Sequence, residues 1–289
     1  MLRGVQDQAD RFRRDGFVRM PGLLDAAEVE RLGDAVDAAV RARSALDRRT
    51  LAEKSRYEQS FVQCINLWED HPAVRPLTFH PRICETAARL LGVPRIRLWH
   101  DQALYKEAGG RETDAHQDQP YWPIAETDTV TAWVPLCDVD DSLGCMGYVP
   151  GSHAVGLRRF VNIFGGEPER VLERAELGGA APVFVPAQRG DVLFHHGLTV
   201  HLAHANRSTA TRRAHTMIFF RDGSTRAPIG VHQSVDRQGI RPGAPIAGDA
   251  TPIAWPRAAG DLPPAPVAPI APFSIGHHLW PPSAMAPRA

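Results

Sequence analysis

The chain has 289 residues, 43% hydrophobic and 23% charged, which is enough for one large domain with a full core and too apolar for disorder to be its main state. Its 33 basic and 33 acidic residues cancel, so no net field draws it to nucleic acid or to an anionic membrane, and any binding site must be local. The longest uncharged run, Leu262 to Pro287, holds eight prolines in 26 residues and cannot be a membrane helix, while charges between Arg3 and Arg14 break any signal-peptide core, so a cytoplasmic location is expected.

In chain order, a first element over Val5–Arg14 turns at Asp15-Gly16 into a short strand, Phe17–Met20, which Pro21-Gly22 ends. Asp25 with Glu28 three residues on reads as a capping box, and Val29, Leu32, Val36 and Val40 recur at helical spacing, predicting a helix from Ala26 to about Arg43. Residues 44–57 mix basic and acidic side chains and are expected to be a solvated helix face, and a further helix is expected over Pro81–Leu91, stopped by Gly92 and Pro94. From Arg95 the period changes to strands: Ile96–Trp99, Ala103–Tyr105, Val130–Leu136, Val183–Val185, Val192–Phe194 and Thr216–Phe220. Helices first and short strands later, without βαβ alternation, predict an α+β fold with an antiparallel core. Residues 1–241 are expected to form one domain, with N-terminal helices over 1–94 and the strand core over 95–241. Residues 242–289 hold twelve of the 25 prolines and are expected to form no core of their own, either draping over the domain through Trp255, Phe273 and Trp280 or trailing from it. Four cysteines without a C-x-x-C pair read as reduced, mostly buried thiols.

Thirteen histidines are many, and spacing separates a few from the rest. His116-Gln117-Asp118 is an H-x-D element; on an extended stretch, residues two apart point to one side, so imidazole and carboxylate could reach one ion. A third ligand is available downstream from His195, His196, His201 or His204. Two histidines and one carboxylate leave the opposite face of an octahedral metal open, which suits a non-haem Fe(II) that must also hold a cosubstrate and O2. Only two of the 33 basic residues are lysines, Lys54 and Lys106, which hints that each is retained for its compact ammonium.

Several segments in order carry a resemblance: Asp15-Gly16-Phe17-Val18, Leu98–Gln102, Lys106, His116–Pro123, Thr131–Leu136, Val149–His153, and His201 with Asn206, Ser208 and Arg212-Arg213. Together they resemble the phytanoyl-CoA dioxygenase family over about residues 9 to 221. The resemblance implies a double-stranded β-helix, a jelly roll related to the cupins, that binds Fe(II) and 2-oxoglutarate and uses O2 to oxidise a substrate C–H bond. Position by position, it implies His116, Asp118 and His201 as metal ligands, with His204 as the alternative to His201. It implies Arg212 as the partner of the 2-oxoglutarate carboxylate, with Arg213 the alternative, since a one-residue shift on a strand inverts the face. It further implies that Lys106, Trp133 and Gln102 lie near the cosubstrate. Ala203 departs from the family, where a serine or threonine commonly stands two residues after the distal histidine.

Because Asp118 is present, no place is left for a halide on the metal, and hydroxylation or another oxidation of a small molecule is expected, with desaturation, cyclisation or epimerisation as variants. Bacterial relatives suggest a secondary-metabolite intermediate as substrate. A non-catalytic metal-binding jelly roll, or a cupin-type enzyme that does not use 2-oxoglutarate, are the other classes; the latter would have no need of Arg212.

Overall fold

A computed structural model describes residues 2–158, 161–163, 170–258 and 260–268. The N-terminal part contributes α1 (Leu2–Asp15), β1 (Phe17–Met20), α2 (Ala26–Ser44), β2 (Val62–Ile65), the single turns α3 (Leu67–Asp70) and α4 (Arg75–Thr78), and α5 (Pro81–Leu91). Then follow β3 (Ile96–Lys106), β4 (Thr113–His116), β5 (Thr129–Pro135), β6 (Met146–Tyr148), β7 (Val183–Val185), β8 (Val192–His196), β9 (His201–Ala203), β10 (Arg212–Arg221), α6 (Gln233–Asp236) and β11 (Ile253–Trp255). The strands form two antiparallel sheets. The larger runs β1-β8-β5-β10-β3-β11, with β2 also paired to β3; the smaller runs β4-β9-β6-β7.

Strand β5 shows how the sequence makes this layer. Val130, Ala132 and Val134 point to one side and join the core under α2 and α5, while Thr131 and Trp133 point between the sheets. Every residue of β5 is buried, because both faces are covered. On β10 the same alternation sends Arg212, Ala214 and Thr216 inward and Met217 and Phe219 toward the helices. Between the sheets, Trp133, Leu193 and Ala214 of the larger pack on Met146, Tyr148 and Ala203 of the smaller.

Helix α2 begins where the sequence places it: the Asp25 carboxylate accepts from the backbone N–H of Ala27 (2.9 Å) and of Glu28 (3.2 Å). The box is only half made, since the Glu28 carboxylate faces His80 instead. The two expected strand runs at 96–99 and 103–105 are one strand, β3. Its pairing with β10 slips by one residue, with Ile218 opposite His100 and Phe219 opposite Leu98, so that Trp99 is the extra residue of a β-bulge. The segment 44–57 is not a helix face. It holds a single 3-10 turn at Leu51–Glu53, and Lys54 is buried against Glu107 in an ion pair at 2.5 Å. Charged residues there fold back on the domain: Arg49 bridges Asp47 and Glu58. Near the C-terminus, β11 pairs with Arg97 and Ile96 of β3. Phe273 and Trp280 lie outside the described residues.

Candidate metal and cosubstrate site

The two sheets enclose a cavity of about 890 Å³, counted with its open mouth. At its centre stand His116 from the end of β4, Asp118 just after it and His201 from the start of β9, and strand pairing sets His116 directly opposite His201. Asp118 itself is not extended. Its backbone is right-handed helical (φ −76°, ψ −39°) at the head of a 3-10 turn, Gln119–Tyr121, so a turn and not strand alternation brings the carboxylate in beside His116.

The Nε2 atoms of His116 and His201 each lie 3.6 Å from Asp118 Oδ1, and one ligand atom from each of the three residues falls within 4.8 Å of the others. On the far side of each ring, Nδ1 meets a backbone carbonyl, Asp114 O at 2.7 Å for His116 and Thr199 O at 3.0 Å for His201. A carbonyl only accepts, so Nδ1 carries the hydrogen and Nε2 is left with its lone pair toward the carboxylate. The other carboxylate oxygen, Oδ2, is engaged by Thr131 Oγ1 (3.0 Å) and His195 Nε2 (3.1 Å). Burial takes His201 well below its ordinary value. One anion and two neutral nitrogen lone pairs converging on one point are the donor set of a divalent transition metal, and with the opposite side facing the cavity they fit Fe(II).

Arg212, inside the sheet at the start of β10, is 1% exposed. It donates from Nη1 to Gly144 O (2.9 Å), its guanidinium lies 5.6 Å from the Trp133 ring, and its Nε has no partner among the described residues. Gly144 permits this contact: at φ +88° a side chain is strained, and a Cβ would stand 2.7 Å from His204 O. Burial lowers the Arg212 pKa to about 10, yet the described residues provide no carboxylate for it. Arg213 leaves the opposite face of β10 and pairs with Asp37 of α2. A carboxylate ligand in the cavity would therefore meet Arg212, not Arg213.

Of the other sequence candidates, Trp133 and Gln102 line the cavity, and the Gln102 amide oxygen accepts from Gln63 Nε2 at 2.5 Å. Lys106 is fully buried opposite Arg212 but is not among the lining side chains; its ammonium turns to the Arg111 carbonyl and to Thr113 Oγ1 at 3.4 Å. Burial, then Arg212, lowers its pKa to about 6. His204 stacks on Phe184 (3.5 Å between centroids), outside the ligand cluster, and His196 is likewise not part of it. Asn206 holds the loop before β10, donating to the carbonyls of Lys106, Glu107 and Ala210. Ser152 accepts from Val200 N–H and donates to Val149 O, a fold role.

His195, one of the four downstream histidines, lines the cavity as a partner of Asp118 outside the ligand cluster, whereas His232 was not singled out from sequence. His195 steadies the carboxylate from β8, and period two along Leu193-Phe194-His195 is the signal that places it inward. His232, the residue before α6, stacks on Trp99 (4.5 Å) and on His100 (5.5 Å) at another part of the cavity wall. No helix among the described residues is long and apolar enough to cross a membrane.

Comparison with known proteins agrees with this geometry. The chain is 24% identical over 211 residues to a methylphosphonate hydroxylase of Gimesia maris, spanning 72% of this chain and 78% of that one. It is 27% identical to the mouse phytanoyl-CoA dioxygenase domain-containing protein 1, across 50% of this chain and 52% of that protein, so it matches about half the length of that relative. Among solved structures it resembles the epimerase SnoN, in complex with Fe3+, alpha ketoglutarate and nogalamycin RO, at 30% identity and a TM-score of 0.73, covering 88% of this chain and 100% of the other. The alpha ketoglutarate dependent carbocyclase SnoK from nogalamycin biosynthesis aligns at 31% identity and a TM-score of 0.70, over 86% and 95% of the two chains. The phytanoyl-CoA dioxygenase family model matches residues 12–214, a span that takes in the metal cluster and Arg212. The chain therefore belongs to the phytanoyl-CoA dioxygenase family of iron- and 2-oxoglutarate-dependent oxygenases.

Proposed function

We propose that this protein oxidises a C–H bond of a small molecule, a secondary-metabolite intermediate, with 2-oxoglutarate and O2 as cosubstrates. The observation that carries the reading is a buried guanidinium with no counter-ion among the described residues, sharing one cavity with two histidine lone pairs aimed at one carboxylate. His116, Asp118 and His201 would hold Fe(II). Arg212 would take the distal carboxylate of 2-oxoglutarate, supported by Trp133 against its guanidinium, with Gln102 nearby on the cavity wall. With iron bound, O2 would be the oxidant: 2-oxoglutarate would give up two electrons and leave as succinate and CO2, and the substrate C–H bond would give up the other two.

The chain's own residues do the positioning. Thr131 and His195 occupy Asp118 Oδ2, which leaves Oδ1 to face the histidines. Lys106, turned away on Arg111 and Thr113, packs its stem beside Gly144 and so backs the loop that Arg212 grips. Hydroxylation is the outcome proposed; the similarity to a carbocyclase and an epimerase supports cyclisation or epimerisation as the alternative, since all begin from the same C–H bond. Anaerobic addition of Fe(II) and 2-oxoglutarate should give a visible charge-transfer band, and a substrate screen read by succinate release should identify the class oxidised. No band at saturating cosubstrate would overturn the reading.

A further inference from the structure

His116 and His201 are aimed in the same way, each by a backbone carbonyl two residues before its ring, but the two carbonyls are held differently. Thr199, behind His201, is fully buried, with its hydroxyl on Gly16 O at 2.7 Å and its N–H on His196 O at 2.8 Å. Asp114, behind His116, is only half-buried and lies where the sheet is irregular. Pairing of β4 with β9 sets Thr113 opposite Ala203 and His116 opposite His201, so β4 has one residue more than its partner between these pairs. The excess makes a β-bulge that interrupts the ladder over residues 114–115, where the Asp114 carbonyl turns to His116 Nδ1 at 2.7 Å.

A strap, residues 54–61, runs alongside and ties this stretch down. Gln59 O accepts from Arg111 N–H (2.9 Å), Ser60 Oγ donates to Glu112 O (2.8 Å), and Arg56 Nη2 donates to the Asp114 carboxylate (3.3 Å). The first two ties secure the approach to β4, and the third reaches the bulge itself. The same strap brings Tyr57 and Phe61 to the cavity wall. The side chain and carbonyl of Asp114 share one Cα, so a guanidinium that anchors the carboxylate limits how far the carbonyl can swing from His116. Without that acceptor the ring loses the bond that sets its direction. The side chains of Arg56 and Asp114 are 30% and 19% exposed, so the pair adds little to the stability of the fold, and its effect belongs at the metal.

We propose that Arg56 is a positioning residue for the metal centre: it holds Asp114, and the Asp114 carbonyl in turn directs His116 at the ion. This rests on the reading of His116, Asp118 and His201 as the metal site. His201 needs no such outside support, since burial and the bonds of Thr199 fix its carbonyl.

Co(II) titrated into the metal-free full-length protein, followed by visible absorption, tests the two readings in turn. No binding spectrum in the wild type would remove the metal site, and the proposal with it. With binding secured, Arg56→Met and Asp114→Ala should each weaken Co(II) about fivefold, and the double variant no further, since both changes cut one tie. Arg56→Lys keeps a cation within reach and should recover most of the loss. Arg49→Met cuts a different tie of the strap, the 2.6 Å pair with Glu58, and should leave Co(II) affinity at the wild-type value. Urea unfolding of the metal-free proteins separates this from stability, because Arg56→Met and Arg49→Met should show similar small shifts in midpoint. Unchanged Co(II) affinity in Arg56→Met, losses that add in the double variant, or an equal loss in Arg49→Met would each overturn the proposal.

Discussion

Replacing Arg212 by Met should separate ligand binding from folding. Burial lowers the pKa of this guanidinium from its ordinary value to about 10, which corresponds to about 3 kcal/mol against the charged form. Because the folded-state value is the lower one, the penalty applies fully below about pH 10 and fades as the pH rises above it, so a measurement at neutral pH sees all of it. The hydrogen bond to Gly144 returns about 1 kcal/mol. Met fills a similar volume without charge, and Arg212→Met is therefore expected to match the wild type or exceed it by up to about 2 kcal/mol in the absence of ligand. With 2-oxoglutarate at a hundred times its Kd and Mn(II) in place of iron, the wild type should gain about 2.7 kcal/mol and the variant almost nothing. Denaturant unfolding with and without cosubstrate reads both quantities. A variant that loses stability while keeping the full cosubstrate-induced gain would show that Arg212 serves the fold and not the ligand.

Asp118→Ala should weaken Co(II) binding more than about a hundredfold, followed by the metal's visible absorption, while circular dichroism stays native. His201→Ala should do the same and His204→Ala should not, since the latter ring lies on Phe184; the reverse order in the same titration would reassign the distal ligand. Arg213→Ala breaks a partly exposed pair with Asp37, so it should cost at most about 1 kcal/mol of stability and leave 2-oxoglutarate affinity unchanged by calorimetry. Lys106 has a folded-state pKa lowered from 10.5 to about 6, so the unfolded chain binds the extra proton between those values and stability should rise with pH across that window. Thermal unfolding at several pH values should show a gain of up to about 1 kcal/mol per pH unit in the wild type that Lys106→Met lacks.

Long elements with a clear period were legible in the sequence: the apolar stripe of α2, the alternation in β5 and the Gly92 stop of α5. Among strands of three or four residues, β1 and β7 were legible and β2, β6 and β9 were not. β2, β6 and β9 are too short for a pattern to stand out: β2 forms along the longer β3, and β6 and β9 form as members of a sheet of similarly short strands. The H-x-D spacing pointed to the right pair by an incomplete route, for Asp118 reaches the centre through a turn whose geometry depends on Pro120 and on the Gln119 N–H bonding Gly197 O. Mixed charge over 44–57 resembled a solvated face because composition alone does not record that Lys54 finds Glu107 fifty-three residues away. His232 gave no local signal: only the bulge in a distant strand makes its position meaningful.

Strand β11 bears on solubility. β3 has β10 on one side, and its other edge is shared between β2, opposite Gln102–Tyr105, and β11, opposite Ile96 and Arg97. Leu98 N–H also donates to Pro252 O at 3.0 Å. A chain cut after residue 241 would keep the metal cluster and Arg212 but leave the 96–98 stretch with unpaired backbone groups, an open template for another chain's strand. Such a truncated protein is expected to lose monodispersity before it loses its site, so β11 is expected to guard the chain against self-association.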